Sequence, residues 1–134
     1  MLISFTKMHG LGNDFVLLDE RYGSYRLDAV QYARIADRRF GVGCDQILVL
    51  GKSSLAGTSG NYRIFNADGS AAEHCGNGVR CVARYLLDSG EVEGDRLSLE
   101  INGASYDLFF ELSGTIRVDM GRPNFAPPDI PIAA

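Results

Sequence analysis

Cys75 is the residue in this 134-residue chain whose type and setting most readily do chemistry. It precedes Gly76-Asn77-Gly78, and behind it Val79, Val82, Ala83 and Leu86 recur at i, i+3, i+4 and i+7. That spacing is one face of a helix, so the pattern predicts a helix that begins at Cys75. A helix amino end carries unpaired N–H groups and a partial positive charge, which favours thiolate over thiol. Gly76 and Gly78 have no side chains and let a ligand approach the backbone closely. A bound carboxylate can then accept hydrogen bonds from the first-turn amides while its neighbouring carbon lies against the sulfur. The chemistry this points to is proton transfer at a carbon next to a carboxylate. The competing reading is an inert buried cysteine, since cysteine is among the most buried residue types.

The other polar residues read differently. Cys81 lies within the apolar helix pattern, where core packing explains it, and Cys44 is also read as structural. His74 adjoins Cys75, but Cys–His pairs are made in space rather than in sequence, so no catalytic role is assigned to it. His9 lies in a glycine-rich turn, where a local hydrogen bond accounts for it. Asn13, Gln46, Asn66 and Asn77 are amides at turns or strand ends. Each is explained as a turn residue; as a set they can also grip ammonium and carboxylate groups without adding charge. Gly10-Leu-Gly12 contains GxG without the rest of a dinucleotide fingerprint, and no Walker A pattern occurs.

The totals narrow the class. Hydrophobic residues make up 46% and charged residues 22%, enough for a real core in one domain. The formal net charge is -4 with no block of like charge, which argues against a nucleic-acid or membrane surface. Three unevenly spaced cysteines make a poor disulfide framework, and two histidines without a CxxC make a poor metal site. The amino-terminal residues lack the apolar run of a signal peptide. A reduced, cytoplasmic protein is expected.

Elements that could position these residues follow from the pattern. Leu2, Ile3 and Phe5 begin a strand that ends near Lys7, and Phe15 to Leu18 form a second, making a hairpin with an elaborate loop. Asp28 caps a helix running to about Arg39, with Ala29, Val30, Ala33 and Ala36 as its apolar face and Gly41 as its stop. Ile47–Leu50 and Tyr62–Phe65 read as strands, with residues 51–60 a flexible loop between them and Asn66-Ala-Asp-Gly69 a turn. The Cys75 helix stops at Gly90. Three alternating runs follow, through Leu97, Leu99 and Ile101, then Tyr106 to Leu112, then Ile116 to Met120. Asn102-Gly103 and Ser113-Gly114 are the turns between them. The expected fold is α+β, with mostly antiparallel strands curled into a barrel around a central helix and a second helix outside.

Three stretches together resemble diaminopimelate epimerase: Phe5-Thr-Lys-Met-His-Gly-Leu-Gly-Asn-Asp-Phe15, Arg38-Arg-Phe-Gly-Val-Gly-Cys-Asp-Gln46, and Asn66-Ala-Asp-Gly-Ser70 with Cys75-Gly-Asn-Gly-Val-Arg-Cys81. Arg117-Val-Asp-Met-Gly121 fits as well, and the order and spacing match the family's N-terminal half along nearly the whole chain. The resemblance implies an enzyme that interconverts LL- and meso-diaminopimelate on the route to lysine and peptidoglycan, without pyridoxal phosphate, metal or other cofactor. It implies two pseudo-symmetric domains, each giving one cysteine to a shared cleft. Residues 1–121 would be the N-terminal domain and residues 122–134 a connector toward a C-terminal domain. By resemblance Cys75 is the N-domain acid/base, Gly76 and Asn77 contact the substrate carboxylate, and Asn13, Gln46 and Asn66 are polar substrate contacts. A homodimer is compatible with this reading.

Some features depart from the family. Its second cysteine lies in an Ala-Cys-Gly-Thr-Gly motif, whereas Cys-Gly occurs here only at Cys75-Gly76. Asn102-Gly-Ala-Ser105 replaces the usual Thr-x-Ala-Gly, and His74 stands where other residues are common. The expectation is a chain inactive alone, exposing surface that another half would cover and therefore prone to self-association. The alternatives are a non-catalytic binding or assembly module with the same fold, or a related isomerase with another substrate.

Overall fold

The computed structural model describes residues 2–10, 12–73, 76–92 and 94–119. Cys75, His74, Met120, Gly121 and the 122–134 connector lie outside the described residues.

β1 (Thr6–Gly10) and β2 (Asn13–Glu20) form an antiparallel hairpin in which Gly10 faces Asn13. The expected strand from Leu2 to Lys7 is therefore displaced. It starts at Thr6 and runs to Gly10, and the connection is short rather than elaborate. Leu2 is almost fully exposed, so its side chain has no partner that would draw it into the sheet.

α1 (Ala29–Ala36) starts where the sequence predicts. The Asp28 carboxylate accepts the Gln31 N–H at 2.8 Å, and Gln31 Oε1 accepts the Asp28 N–H at 2.9 Å, a reciprocal capping box. The helix ends earlier than Arg39, and its buried residues are Tyr32 and Ala36, while Val30 is 67% exposed. Two interactions set this outcome. The Tyr32 ring stacks on Phe65 with centroids 4.1 Å apart, which turns the aromatic and Ala36 into the core and leaves Ala29 and Val30 exposed. Beyond the helix, Val42 and Gly43 donate to the Ile35 carbonyl and Cys44 to that of Ala36, folding the chain back over the last turn. Gly41 permits this by lack of bulk: a Cβ there would lie 2.0 Å from the Arg34 carbonyl oxygen.

β3 (Gln46–Gly51) lies parallel to β2, so β2, α1 and β3 form a crossover unit. Phe15–Leu18 and Ile47–Leu50 are buried without a break because the sheet is covered on both faces here. β4 (Asn61–Asn66) pairs antiparallel with β3, and a turn at Asn66–Ser70 leads to the short β5 (Ala71–Ala72) on β4. The 51–60 loop, read as flexible from composition, is tied down. The buried Glu100 carboxylate accepts from Ser54 N–H and Ser54 Oγ, each at 2.7 Å, and Ser59 N–H donates to the Ser98 carbonyl.

α2 (Gly76–Asp88) is the predicted central helix. It closes at Gly90, with Glu91 N–H donating to the Leu86 carbonyl and Gly90 N–H to that of Leu87, a Schellman ending. β6 (Arg96–Ile101), β7 (Ala104–Phe110) and β8 (Ile116–Val118) complete a mixed sheet of order β1-β2-β3-β4-β6-β7-β8. Asn102 and Gly103 both have positive φ, as a tight hairpin turn requires. The alternation expected through Leu112 stops at Phe110, and Leu112 stands fully exposed in the next turn.

Most ladders are antiparallel, and the sheet curls around α2, whose Val79, Val82, Ala83 and Leu86 are fully buried against Phe15, Leu17, Leu48, Leu50, Leu99 and Leu108. Both end strands, β1 and β8, touch the helix, but among the described residues they do not pair with each other. The fold is thus α+β, a half-barrel around one helix with α1 on the outer face. Leu86→Ala is expected to cost about 2–5 kcal/mol of unfolding free energy, and Leu112→Ala to stay within about 0.5 kcal/mol. Urea denaturation of the two variants checks this contrast.

Candidate active site

Strand register gathers three of the amides expected at the site. In the parallel ladder Phe15 faces Gln46, and in the next ladder Gln46 faces Asn66. Asn13 sits at the start of β2 opposite Gly10. Asn13, Gln46 and Asn66 therefore share one end of the sheet. Gln46 Nε2 donates to Asn66 Oδ1 at 3.2 Å, and Asn66 Nδ2 donates to Ser70 Oγ at 3.2 Å. Ser70 in turn donates to Asp68 at 2.6 Å, and these hydrogen bonds hold the Asp68 carboxyl below its usual value. Two of the amides are thus fixed in orientation by one another and by the turn.

Two contacts fix the direction of α2. Tyr85, in its later half, donates to Asp19 Oδ2 at 2.9 Å near the far end of β2. Cys81, in its earlier half, lies beside Gly10, where a Cβ would sit 3.7 Å from the sulfur. The amino end of α2 therefore points to the end of the sheet that carries Asn13, Gln46 and Asn66. Gly76 and Asn77 are the first two residues of this helix, and Asn77 is half-buried. No acidic residue occupies the first turn, so no side chain there neutralises the positive end of the helix dipole. Such an end receives an anion. Cys75 precedes Gly76 in sequence and lies outside the described residues.

The remaining sulfurs and His9 are accounted for. Cys44 is buried with Val16, Tyr32 and Ile47, and burial pushes its thiol above the ordinary value. Cys81 is buried in the α2 core. His9 is not in a turn but in β1, facing Asp14 across the ladder, with its side chain exposed. A groove lined by Glu20, Lys52, Asn61 and Arg63 lies at the opposite end of the same strands and includes none of the expected site residues.

A cluster that the sequence reading missed flanks the site. Asp14 accepts from Arg38 at 2.8 and 3.0 Å and from Lys7 Nζ at 2.8 Å, and Arg38 also reaches Asp45 at 3.1 Å. Arg38, and then Lys7, hold the Asp14 carboxyl far below the usual aspartate range. The available signal was position: Asp14 follows Asn13 and Asp45 precedes Gln46.

Residues 5–126 match the family model described as diaminopimelate epimerase. The chain belongs to the diaminopimelate epimerase family. It is 47% identical over 131 residues to the diaminopimelate epimerase of Xanthomonas campestris, covering 98% of this chain and 46% of that protein. It is 44% identical over 133 residues to that of Paraburkholderia phytofirmans, covering 99% and 44% respectively. The chain thus spans less than half the length of these curated relatives. Among solved structures, a probable proline racemase from Agrobacterium radiobacter K84 superposes with a TM-score of 0.63 at 17% identity. That match covers 87% of this chain and 41% of the other, and it shows a shared fold.

A carboxyl whose value is depressed in the folded state adds stability above the ordinary aspartate value and loses it only as pH falls through its own lower one. The contacts of Asp14 with Arg38 and Lys7 should therefore survive the window around pH 3.9 in which free aspartates protonate. Side-chain carboxyl 13C shifts should stay flat for Asp14 from about pH 5 to about pH 3. A midpoint inside that window would contradict the cluster.

Proposed function

We propose that this chain is the N-terminal half of a two-domain epimerase that interconverts LL- and meso-diaminopimelate, supplying precursors for lysine and peptidoglycan. Residues 1–121 form the domain, and residues 122–134 lead toward a C-terminal half. The observation that carries the reading is the convergence of Asn13, Gln46 and Asn66 with the acid-free amino end of α2, in a chain of this family.

In this mechanism the first-turn amides at Gly76 and Asn77 bind the substrate carboxylate next to the reacting carbon. Asn13, Gln46 and Asn66 orient the substrate by neutral hydrogen bonds. The Cys75 thiolate removes the α-proton and becomes a thiol. The electron pair left on carbon is stabilised through the carboxylate by hydrogen bonds from the helix N–H groups. A thiol from the C-terminal half then protonates the opposite face and becomes the thiolate. The reverse reaction exchanges the two roles. No net oxidation occurs, and neither pyridoxal phosphate nor a metal is needed for these proton transfers. A dithiol acid/base pair works only while reduced, which suits the cytoplasm. Among the described residues no helix is long and apolar enough to cross a membrane.

Solvent deuterium incorporation at the substrate α-carbon tests this proposal. Exchange is expected in the two-domain protein and should vanish in Cys75→Ala, whereas this chain alone should give little or none. Full exchange in Cys75→Ala would refute the role of Cys75. Titration calorimetry addresses the reading of a binding module, because tight diaminopimelate binding by this chain alone would favour that reading over half a cleft.

Thiol accessibility gives an independent check. In the native chain an uncharged alkylating reagent should modify Cys75 well before Cys44 and Cys81, which are both buried. Peptide mass mapping over a time course reads the order, and modification of Cys44 first would count against the assignment.

A further inference from the structure

The ion cluster beside the site does more than decorate a rim. Asp14 and Asp45 are bonded reciprocally through backbone and side chain. The Asp14 N–H donates to Asp45 Oδ2 at 3.0 Å. The Asp45 N–H donates to the Asp14 carbonyl at 3.0 Å and to Asp14 Oδ1 at 2.8 Å. Each carboxylate therefore ties down the other residue's backbone. The arrangement also brings two negative charges together, and something must offset their repulsion.

Arg38 does so with a forked set of hydrogen bonds. Its Nη1 donates to Asp14 Oδ2 at 3.0 Å, and its Nη2 donates to Asp14 Oδ1 at 2.8 Å and Asp45 Oδ1 at 3.1 Å. A planar guanidinium can span two carboxylates in this way, whereas an ammonium is a point charge. Lys7 joins from β1, donating to Asp14 Oδ2 and to the Gly43 carbonyl. Arg38 is itself braced. A Cβ on Gly43 would lie 3.2 Å from Arg38 Cγ, so the 42–44 segment packs on its stem, and that segment is hydrogen-bonded to the last carbonyls of α1.

The strand ladder does not reach this far. The first rung between β2 and β3 is Phe15–Gln46, so Asn13 lies beyond it, and among the described residues its strand partner is Gly10 of β1. We propose that Arg38 is a positioning residue, whose bridge between Asp14 and Asp45 sets the separation of Asn13 from Gln46 at the open end of the parallel pair. The catalytic consequence rests on the proposed function, through the substrate contacts assigned to Asn13 and Gln46; the clasp itself does not. An isolated exposed ion pair adds little stability, so the effect belongs in geometry rather than in the melting temperature.

The test compares wild type, Arg38→Ala and Arg38→Lys, with Arg84→Ala as a control that removes an exposed helix ion pair elsewhere. In 15N-labelled chain, the side-chain amide resonances of Asn13 and Gln46 should shift and lose order in Arg38→Ala. They should be partly restored in Arg38→Lys and unchanged in Arg84→Ala. In the two-domain protein, kcat/KM should fall about 10- to 100-fold in Arg38→Ala, the scale of an ångström-sized misplacement, and recover in part with lysine. Amide resonances in Arg38→Ala indistinguishable from wild type would overturn the clasp. An Arg38→Ala enzyme with wild-type kcat/KM would overturn its role in positioning. Absence of turnover in the unsubstituted two-domain protein would instead overturn the proposed function, leaving the amide comparison to decide the clasp.

Discussion

Val79, Val82, Ala83 and Leu86 are covered by side chains from β2, β3, β6 and β7, and this burial of a helix face inside a curled sheet is what the remaining structure depends on. A flat sheet would cover only one side of α2. Curling lets strands at both ends of the sheet touch the helix, so one apolar core serves most of the chain. The helix is thereby locked along its length by Gly10 near its start and by Asp19 near its end. Its direction, and hence the end of the sheet at which its amino terminus emerges, is a by-product of this packing.

The second constraint is the double burial of β2 and β3. With α2 on one face and α1 on the other, both faces of these strands are apolar, so a one-residue slip would still turn apolar side chains toward an apolar layer and the pattern alone fixes the register only weakly. Register is therefore held by their partners as well as by pattern: Gly10 against Asn13 on one side and Asn66 against Gln46 on the other. The same register that completes the core sets three neutral amides in a row at one rim. Under the proposed function, neutral donors and acceptors suit a zwitterionic substrate that must be oriented without being trapped by a strong ion pair. Charge is kept just behind them, where Arg38 and Lys7 satisfy Asp14.

Much of this was legible in the chain itself. The α2 face, the Asp28 cap, the Gly90 ending and the Asn102-Gly103 turn each depend on a few neighbouring residues, and all were found where expected. The α1 face was right only at Ala36, because helix periodicity cannot tell which of two apolar stripes meets an aromatic partner. Here Phe65, remote in sequence, selected Tyr32. The 51–60 loop was misjudged for a similar reason, since the carboxylate that holds it, Glu100, lies in a strand far along the chain. Polar composition describes what a loop can do alone, not what grips it.

By itself the sequence determined the central helix and its Gly90 ending, the hairpin turns, the family motifs and the candidate amides that meet at one rim. These are encoded by period and by turn chemistry over short spans, where local sterics and hydrogen bonding decide. Only the tertiary structure decided that β2 and β3 run parallel, that Asn13, Gln46 and Asn66 share a rim with the amino end of α2, and that Arg38 bridges Asp14 and Asp45. Those relations join residues distant in the chain, and they exist because burying the two helices against opposite faces of one sheet brings remote strands side by side.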